Sequence, residues 1–147
     1  RLAFCRDNMG VENTVTFKGD DTEEQVLRDI NGGKLPTIVI DATGNAQSMA
    51  NAMNYVAHTG TLVYVGITLG EIVFPHRWLH AKEMNLLASR NALPSDFARI
   101  IKLIEDGQID TRPWITHRTT LEDLPNVFES YTKPETGVIK AVVTIQD

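Results

Sequence analysis

Glycine and small polar residues follow three apolar runs of this sequence, at the points where strands of a parallel sheet would end. The three segments are Thr43-Gly44-Asn45, Val65-Gly66-Ile67 and Ser89-Arg90-Asn91. Ligands of open α/β sheets lie outside the carboxyl ends of the strands, and glycine there lets the main chain approach a flat ring or a sugar. The same glycines can also do no more than form tight turns between strand and helix. The pattern alone leaves both interpretations open.

The phosphate-binding signature of nucleotide folds is not found in this sequence. None of the ten glycines stands in a G-x-G-x-x-G pattern, which brings a helix N-terminus to a pyrophosphate. The chain also begins at Arg1, inside a helical pattern. We therefore expect it to be a fragment, the second half of a nucleotide-binding domain.

One lysine lies in an apolar run near the end of the sequence. Lys140 interrupts Val138-Ile139-Lys140-Ala141-Val142-Val143. A single cation in such a strand can reach a phosphate, or it can face solvent at the edge of a sheet. The residues alone favour the edge.

Two histidines and one cysteine are the remaining candidates for chemistry. His76 and His80 are four residues apart, a spacing that can place both on one helical face to ligate a metal. No third ligand stands nearby, so surface histidines are the favoured interpretation. Cys5 lies in a helical apolar pattern without a nearby histidine, which favours a buried or half-buried thiol over a nucleophile.

The elements that would position these residues alternate between strand and helix. The β-branched run Thr37–Asp41 predicts a parallel strand that is covered on both faces. A helix from Ala46 to Ala57 and a strand at Thr61–Gly66 complete a βαβ unit. The other predicted elements are a helix to about Met9, a β-rich run at Thr14–Phe17, a helix between Thr22 and Gly32, a short helix after Pro75, a strand at Asn85–Ser89, a helix from Pro94 to Gly107, an extended segment at Pro113–His117, a helix at Leu121–Tyr131 and a strand at Val138–Ile145.

Composition narrows the class of protein. A chain of 147 residues with 42% hydrophobic residues is long enough to bury a core. Its net charge is −5 and its basic residues are scattered, which argues against a nucleic-acid partner. No apolar run approaches membrane-spanning length, so we expect no membrane partner. A single cysteine fits a reducing cytoplasm.

Five segments together resemble a known enzyme family. They are Val39-Ile40-Asp41-Ala42-Thr43-Gly44, Gly60-Thr61-Leu62-Val63-Tyr64-Val65-Gly66, Lys82-Glu83, Ile115-Thr116-His117 and Gly137-Val138-Ile139-Lys140. Their order and spacing resemble the C-terminal part of zinc-dependent medium-chain alcohol and polyol dehydrogenases, over essentially the whole chain. The stretch Ser89-Arg90-Asn91-Ala92 followed by Asp96-Phe97 is similar to a subgroup that acts on sugar acids and polyols.

The resemblance implies a role for each candidate in binding NAD or NADP. Thr43, Gly44 and Asn45 would line the adenine and ribose side of the cofactor. Val65, Gly66 and Ile67 would pack on the nicotinamide, and main-chain groups there and near Ser89, Arg90 and Asn91 would hold its carboxamide. Lys140 would approach the pyrophosphate, which raises that interpretation above the edge. The resemblance implies no catalytic residue and no metal ligand within this chain.

The resemblance also implies a fold and a division of the chain. The fold expected is an incomplete Rossmann-type parallel sheet with flanking helices that lacks its first two strands. Residues 1–110 would be the C-terminal part of the nucleotide-binding domain, and residues 111–147 a segment that returns to the catalytic domain. Without the first two strands, the edge of the Thr37–Asp41 strand would be open, so we expect self-association through a sheet edge.

Three hypotheses about function follow. The first is a fragment of an oxidoreductase that transfers hydride from a secondary alcohol of a polyol or sugar acid, with the zinc ligands upstream of Arg1, so that this chain alone would be inactive. The second is a free-standing nucleotide-binding or interaction module without catalysis. The third is a zinc-free, quinone-reductase-like member of the same superfamily. Lys82-Glu83 and Ser89-Arg90-Asn91 favour the zinc branch.

Overall fold

A computed structural model describes residues 1–19 and 22–145 of the chain. Over these residues the helices are α1 (Leu2–Met9), α2 (Glu23–Ile30), α3 (Ala46–Asn51), α4 (His76–Lys82), α5 (Pro94–Glu105) and α6 (Leu124–Tyr131). The strands are β1 (Ile38–Asp41), β2 (Thr61–Tyr64), β3 (Asn85–Ala88), β4 (Ile115–Thr120) and β5 (Lys140–Thr144). Within this part of the chain no helix has the length and apolar character needed to cross a membrane.

The chain divides into two compact units. One unit is Glu12–Asn91, and the other comprises Arg1–Val11 together with the chain from Ala92 onward. This division reflects contacts within each unit. The predicted boundary at residue 110, which concerns the architecture of a larger enzyme, stays a prediction.

The Glu12–Asn91 unit is built on a parallel sheet in the order β1-β2-β3. Ile38 of β1 lies in register with Thr61 of β2, which in turn lies in register with Asn85 of β3. The carboxyl ends of all three strands therefore lie at the same end of the sheet, where the candidate segments begin. The predicted α/β class with a parallel sheet and flanking helices is confirmed.

The core lies on one face of this sheet. Met53, Val56 and Leu62 are fully buried there, together with Met49, Tyr64 and Met84. On the opposite face Ile38 and Ile40 keep 64% and 63% of their surface exposed. The prediction that β1 is covered on both faces is therefore wrong for the described residues, because these two side chains find no packing partner that removes them from water.

The side chain of Lys82 is hydrogen-bonded to the main chain just beyond the C-terminal end of α3. Its Nζ donates to three main-chain oxygens, those of Met53 (3.1 Å), Asn54 (2.9 Å) and Val56 (2.9 Å). These carbonyls belong to or directly follow a 3₁₀ turn at Ala52–Tyr55, which continues α3, and helix ends leave such oxygens without intrahelical partners. Burial lowers the pKa of Lys82, opposed by the charge of Glu24.

We expect Lys82→Met to lower the free energy of unfolding by about 2–3 kcal/mol, because the apolar side chain leaves three carbonyl oxygens without their cationic donor. Urea unfolding followed by tryptophan fluorescence measures it. The matched control is Lys102→Met, which removes an exposed ion pair to Asp106 and should cost about 0.5 kcal/mol or less. Equal losses in both variants would contradict this role of Lys82.

The second unit contains a parallel strand pair. β4 and β5 pair with Ile115 opposite Lys140, and α6 lies between them in sequence. The ring of Phe4 in α1 meets Trp114 edge-on at 5.7 Å between centroids. His117 makes the same kind of contact with Tyr131 at 5.2 Å.

Two predicted elements differ from the structure. Thr14–Phe17 forms no strand, because an extended segment needs a neighbouring strand for its hydrogen bonds. The N–H groups of Lys18 and Gly19 that follow it instead donate to Glu23 Oε1 at 2.6 and 2.9 Å. Pro113 and Trp114 lie in a 3₁₀ turn, Arg112–Trp114, instead of an extended segment. Proline fits the first turn of a helix, where its missing N–H is not needed.

Candidate functional site

A cleft of about 540 Å³ opens at the carboxyl ends of β2 and β3. It is lined by Met49, Tyr64, Val65, Gly66, Ile67, Thr68, Gly70, Ile72, Ala88, Ser89, Arg90 and Asn91. Six of the ten predicted site residues are therefore brought together around one concave surface, as expected for the ends of neighbouring parallel strands.

The first predicted segment adjoins this cleft at the end of β1. Thr43 donates its main-chain N–H to Asp41 Oδ1 at 2.9 Å and its hydroxyl proton to the same oxygen at 2.8 Å. Gly44 has φ +64°, a conformation that side chains disfavour. Asn45 is the N-cap of α3, and its side-chain oxygen accepts from Ser48 N at 3.0 Å. The sequence Thr-Gly-Asn thus makes a sharp turn that ends directly in a helix.

The second segment touches the first. A Cβ on Gly66 would lie 2.5 Å from Gly44 N, and a Cβ on Gly44 would lie 2.8 Å from Ile67 O. Neither glycine can therefore carry a side chain without displacing main chain. The main-chain N–H groups of Val65 and Gly66 both donate to Asp41 O, at 2.8 and 3.0 Å. The two glycines are needed because the two turns pack closely against each other. From the sequence alone, this role could not be distinguished from that of glycines in two separate tight turns.

The third segment continues β3 beside the second. Ser89 N donates to Tyr64 O at 2.8 Å, which holds the end of β3 against β2. Ser89, Arg90 and Asn91 are all exposed, and Asn91 has φ +62°. Their side chains are free of the sheet and border the open mouth of the cleft.

The floor of the cleft contains a polar contact that sequence reasoning missed. The buried Tyr64 hydroxyl donates to Met49 O at 2.6 Å. Burial raises the pKa of Tyr64, and the charge of Asp41 raises it further, so the phenol stays protonated and keeps this hydrogen bond. The sequence did contain a signal for this contact, because a tyrosine at the last position of an apolar strand is buried and its hydroxyl then needs a hydrogen-bond partner.

Lys140 belongs to the other compact unit. It is the first residue of β5, is exposed, and its main-chain oxygen accepts from Thr116 Oγ1 at 3.4 Å. Its exposure is compatible with both interpretations drawn from the sequence, a solvent-facing edge and a phosphate ligand.

The histidines do not complete a metal site in this structure. His76 and His80 lie on α4 with their ring centroids 5.9 Å apart. Among residues 1–19 and 22–145, no group of three or more histidine, cysteine, aspartate or glutamate side chains comes close enough to hold a metal ion. Cys5 is half-buried, as its apolar pattern predicted.

Comparison with known proteins places most of the chain in one family. Residues 1–106 match the family model described as zinc-binding dehydrogenase. The chain is 40% identical over 118 residues to L-galactonate-5-dehydrogenase of Escherichia coli, which covers 80% of this chain and 35% of that enzyme. It is 29% identical over 146 residues to L-arabinitol 4-dehydrogenase of Aureobasidium melanogenum, with 97% and 39% covered.

Solved structures share the fold. L-idonate 5-dehydrogenase of Escherichia coli superposes with a TM-score of 0.72 at 19% identity, covering 89% of this chain and 36% of the enzyme. A short chain alcohol dehydrogenase of Escherichia coli, complexed with NADH, gives a TM-score of 0.77 at 17% identity, with 93% and 40% covered. The chain thus spans about two fifths or less of the length of these relatives.

Proposed function

The chain belongs to the zinc-binding dehydrogenase family, and we propose that it supplies part of the cofactor site of an NAD- or NADP-dependent oxidoreductase. One observation carries the proposal. Two strand-end turns line one cleft. The third turn meets one of them at Gly44 and Gly66, where a Cβ would collide with main chain. Such a surface admits a flat ring or a sugar directly against backbone.

The predicted site residues divide by position along the cofactor. Thr43, Gly44 and Asn45 would contact its adenine and ribose side. Val65, Gly66 and Ile67 would pack on the nicotinamide, since two of them expose apolar surface there. Main-chain groups around Ser89, Arg90 and Asn91 would hold the carboxamide. For Lys140, an approach to the pyrophosphate is implied by the family resemblance and stays a prediction.

Binding and orientation are what this chain would contribute to the reaction. A nicotinamide held there would supply the acceptor or donor for hydride exchange with an alcohol carbon. Apolar side chains of Val65 and Ile67 would exclude water from one face of that ring, which leaves the other face for the substrate. Among the described residues no group fits zinc. The family resemblance implies zinc ligands upstream of Arg1, and on that ground we propose that the chain alone has no dehydrogenase activity.

The substrate class follows from the relatives. Their names describe dehydrogenases of a sugar acid and of a polyol, so we propose a secondary alcohol of such a molecule. A non-catalytic nucleotide-binding module and a zinc-free reductase are the alternatives. The coding sequence upstream of the Arg1 codon discriminates them: zinc ligands and a G-x-G-x-x-G turn in frame support the zinc enzyme, the turn alone supports the reductase, and a start codon supports the module.

Cofactor binding by the chain itself is directly measurable. We expect NADH, titrated into isotope-labelled chain, to shift the amide resonances of residues 43–45, 65–67 and 89–91, with weak affinity because only half of the site is present. ATP at the same concentrations should shift residues 65–67 less, since it has no nicotinamide. Amide shifts confined to residues outside the cleft, or none at saturating NADH, would contradict the proposal.

The open face and edge of β1 support a further part of the proposal. Ile38 and Ile40 are mostly exposed on a strand that pairs on one side with β2 among the described residues. Unpaired strand edges with apolar side chains pair readily with another chain. We propose that this chain forms homo-oligomers through that edge.

A cytoplasmic location stays a prediction from the single cysteine.

A further inference from the structure

We propose that Asp41 is a positioning residue of the cofactor cleft, which holds the Thr43-Gly44-Asn45 turn through its carboxylate and the Val65-Gly66 turn through its main-chain oxygen. The inference rests on the proposed function, because it explains how one residue outside the cleft lining holds the turns of the proposed cofactor site in place. It also specifies which chemical group the first turn can meet.

The Asp41 carboxylate is buried and fully engaged. Only 5% of the residue is exposed. Oδ1 accepts from Thr43 N and Thr43 Oγ1 at 2.9 and 2.8 Å, and Oδ2 accepts from Ser48 Oγ at 3.0 Å. Among the described residues no cation forms an ion pair with it. Burying a carboxylate without a counter-ion is costly, so these three donors compensate for its lost hydration.

The main chain of the same residue holds the second turn. Asp41 O accepts from Val65 N and Gly66 N at 2.8 and 3.0 Å. These bonds bring Gly66 to the position where a Cβ would collide with Gly44 N. One residue therefore fixes both turns, and a shift of its backbone moves the two turns relative to each other.

A closed network extends from the carboxylate into the helix. Thr43 Oγ1 donates to Asp41 and accepts from Asn45 N at 3.2 Å. Asn45 Oδ1 accepts from Ser48 N at 3.0 Å, and Ser48 Oγ donates to Asp41 Oδ2, which closes the network. The first turn and the start of α3 are thus hydrogen-bonded to a single carboxylate.

This network determines what the Thr43 hydroxyl can offer a ligand. Its one proton is donated to Asp41, so towards a ligand it can only accept a hydrogen bond. A ribose hydroxyl donates and fits this position. A phosphate oxygen only accepts, and the nearby carboxylate charge repels it as well. The donor pattern of Thr43 therefore supports the ribose contact already proposed for this turn and argues against a pyrophosphate contact there.

The test measures NADH binding to the full chain by amide shifts. We expect Asp41→Ala to weaken binding by about tenfold, which corresponds to about 1.4 kcal/mol. Asp41→Asn should recover most of it, because the amide oxygen still accepts from Thr43. Ser48→Ala, which removes the donor to Oδ2, should reduce the NADH-induced shifts of residues 43–45 and leave those of residues 89–91 unchanged. This localised effect separates positioning from general destabilisation, and it remains measurable if Asp41→Ala does not fold.

Glu23→Gln is the matched control. Glu23 is a second buried carboxylate that accepts two main-chain N–H groups, and it lies outside the cleft lining. We expect it to bind NADH as the wild type does. Two results would overturn this inference alone. In the first, the wild type binds NADH and the affinity and amide shifts of Asp41→Ala and Ser48→Ala equal those of the wild type. In the second, Glu23→Gln weakens NADH binding as much as Asp41→Ala does. A wild-type chain that does not bind NADH would overturn it together with the proposed function.

A second arm tests the ribose assignment. ADP-ribose should shift the amides of Thr43 and Asn45, whereas inorganic pyrophosphate should leave them unchanged. Shifts of both amides by pyrophosphate equal to those by ADP-ribose would overturn the assignment.

Discussion

Replacing Gly66 by alanine is expected to abolish measurable NADH binding and to lower the free energy of unfolding by about 2–3 kcal/mol. The added Cβ would lie 2.5 Å from Gly44 N and 3.1 Å from Gly44 Cα and Ala42 C. All three atoms are main chain, so no side-chain rotation relieves the collision. The ends of β1 and β2 must separate, which opens the hydrogen bonds from Val65 and Gly66 to Asp41 O and displaces the turn that lines the cleft.

The effect on binding is separated from the effect on stability by Gly60→Ala. A Cβ on Gly60 would lie 2.7 Å from Val56 Cγ1 and 2.8 Å from Thr37 O, a comparable collision at the amino end of β2. We expect a similar loss of stability with an NADH affinity that is unchanged for the folded chain. Gly70→Ala, whose Cβ would have no neighbour nearer than 3.6 Å, should unfold like the wild type. If Gly66→Ala and Gly60→Ala weaken binding equally, close approach at Gly66 is not what forms the site.

The fold was predictable where a segment carries its own signal. The β-branched run before Asp41 and the apolar run Leu62–Val65 stand between turn residues, and both became strands of one parallel sheet. Gly10 and Gly107 end their helices in the left-handed conformation, as glycine at a C-terminus predicts. Thr14–Phe17 has strand composition as well, but a strand also needs a partner, and composition does not report whether one is present.

The candidate site was predictable as a set of positions and not as a set of contacts. The rule that ligands meet the carboxyl ends of parallel strands identified three turns, and the structure brings their residues to one end of one sheet. The contact between Gly44 and Gly66 depends on strand register to within one residue, which the pattern does not fix. Asp41 was missed as a functional residue because its side chain stabilises the turn two residues further on, and a strand-ending aspartate resembles any solvated turn residue.

The isolated chain is expected to self-associate, and charges on β1 should make it monomeric. Ile38 and Ile40 lie on the uncovered face with about two thirds of their surface exposed, so lysine at both positions removes no core packing. Lysine on a strand edge is also a common natural barrier to pairing. Sedimentation equilibrium should give the wild type at least twice the mass of one chain, and the Ile38→Lys/Ile40→Lys variant the mass of one.

A control with the same change of charge distinguishes the edge from general repulsion. Leu69 and Val73 are fully or mostly exposed apolar residues outside the strands, and Leu69→Lys/Val73→Lys adds the same two charges to a chain of net charge −5. If association depends on the β1 edge, this variant stays associated. If the control alone becomes monomeric, the loop after β2 mediates association instead. A monomeric wild type would mean that water satisfies the open edge of β1 well enough for the chain to remain single, and the proposal of an edge-mediated oligomer would be wrong.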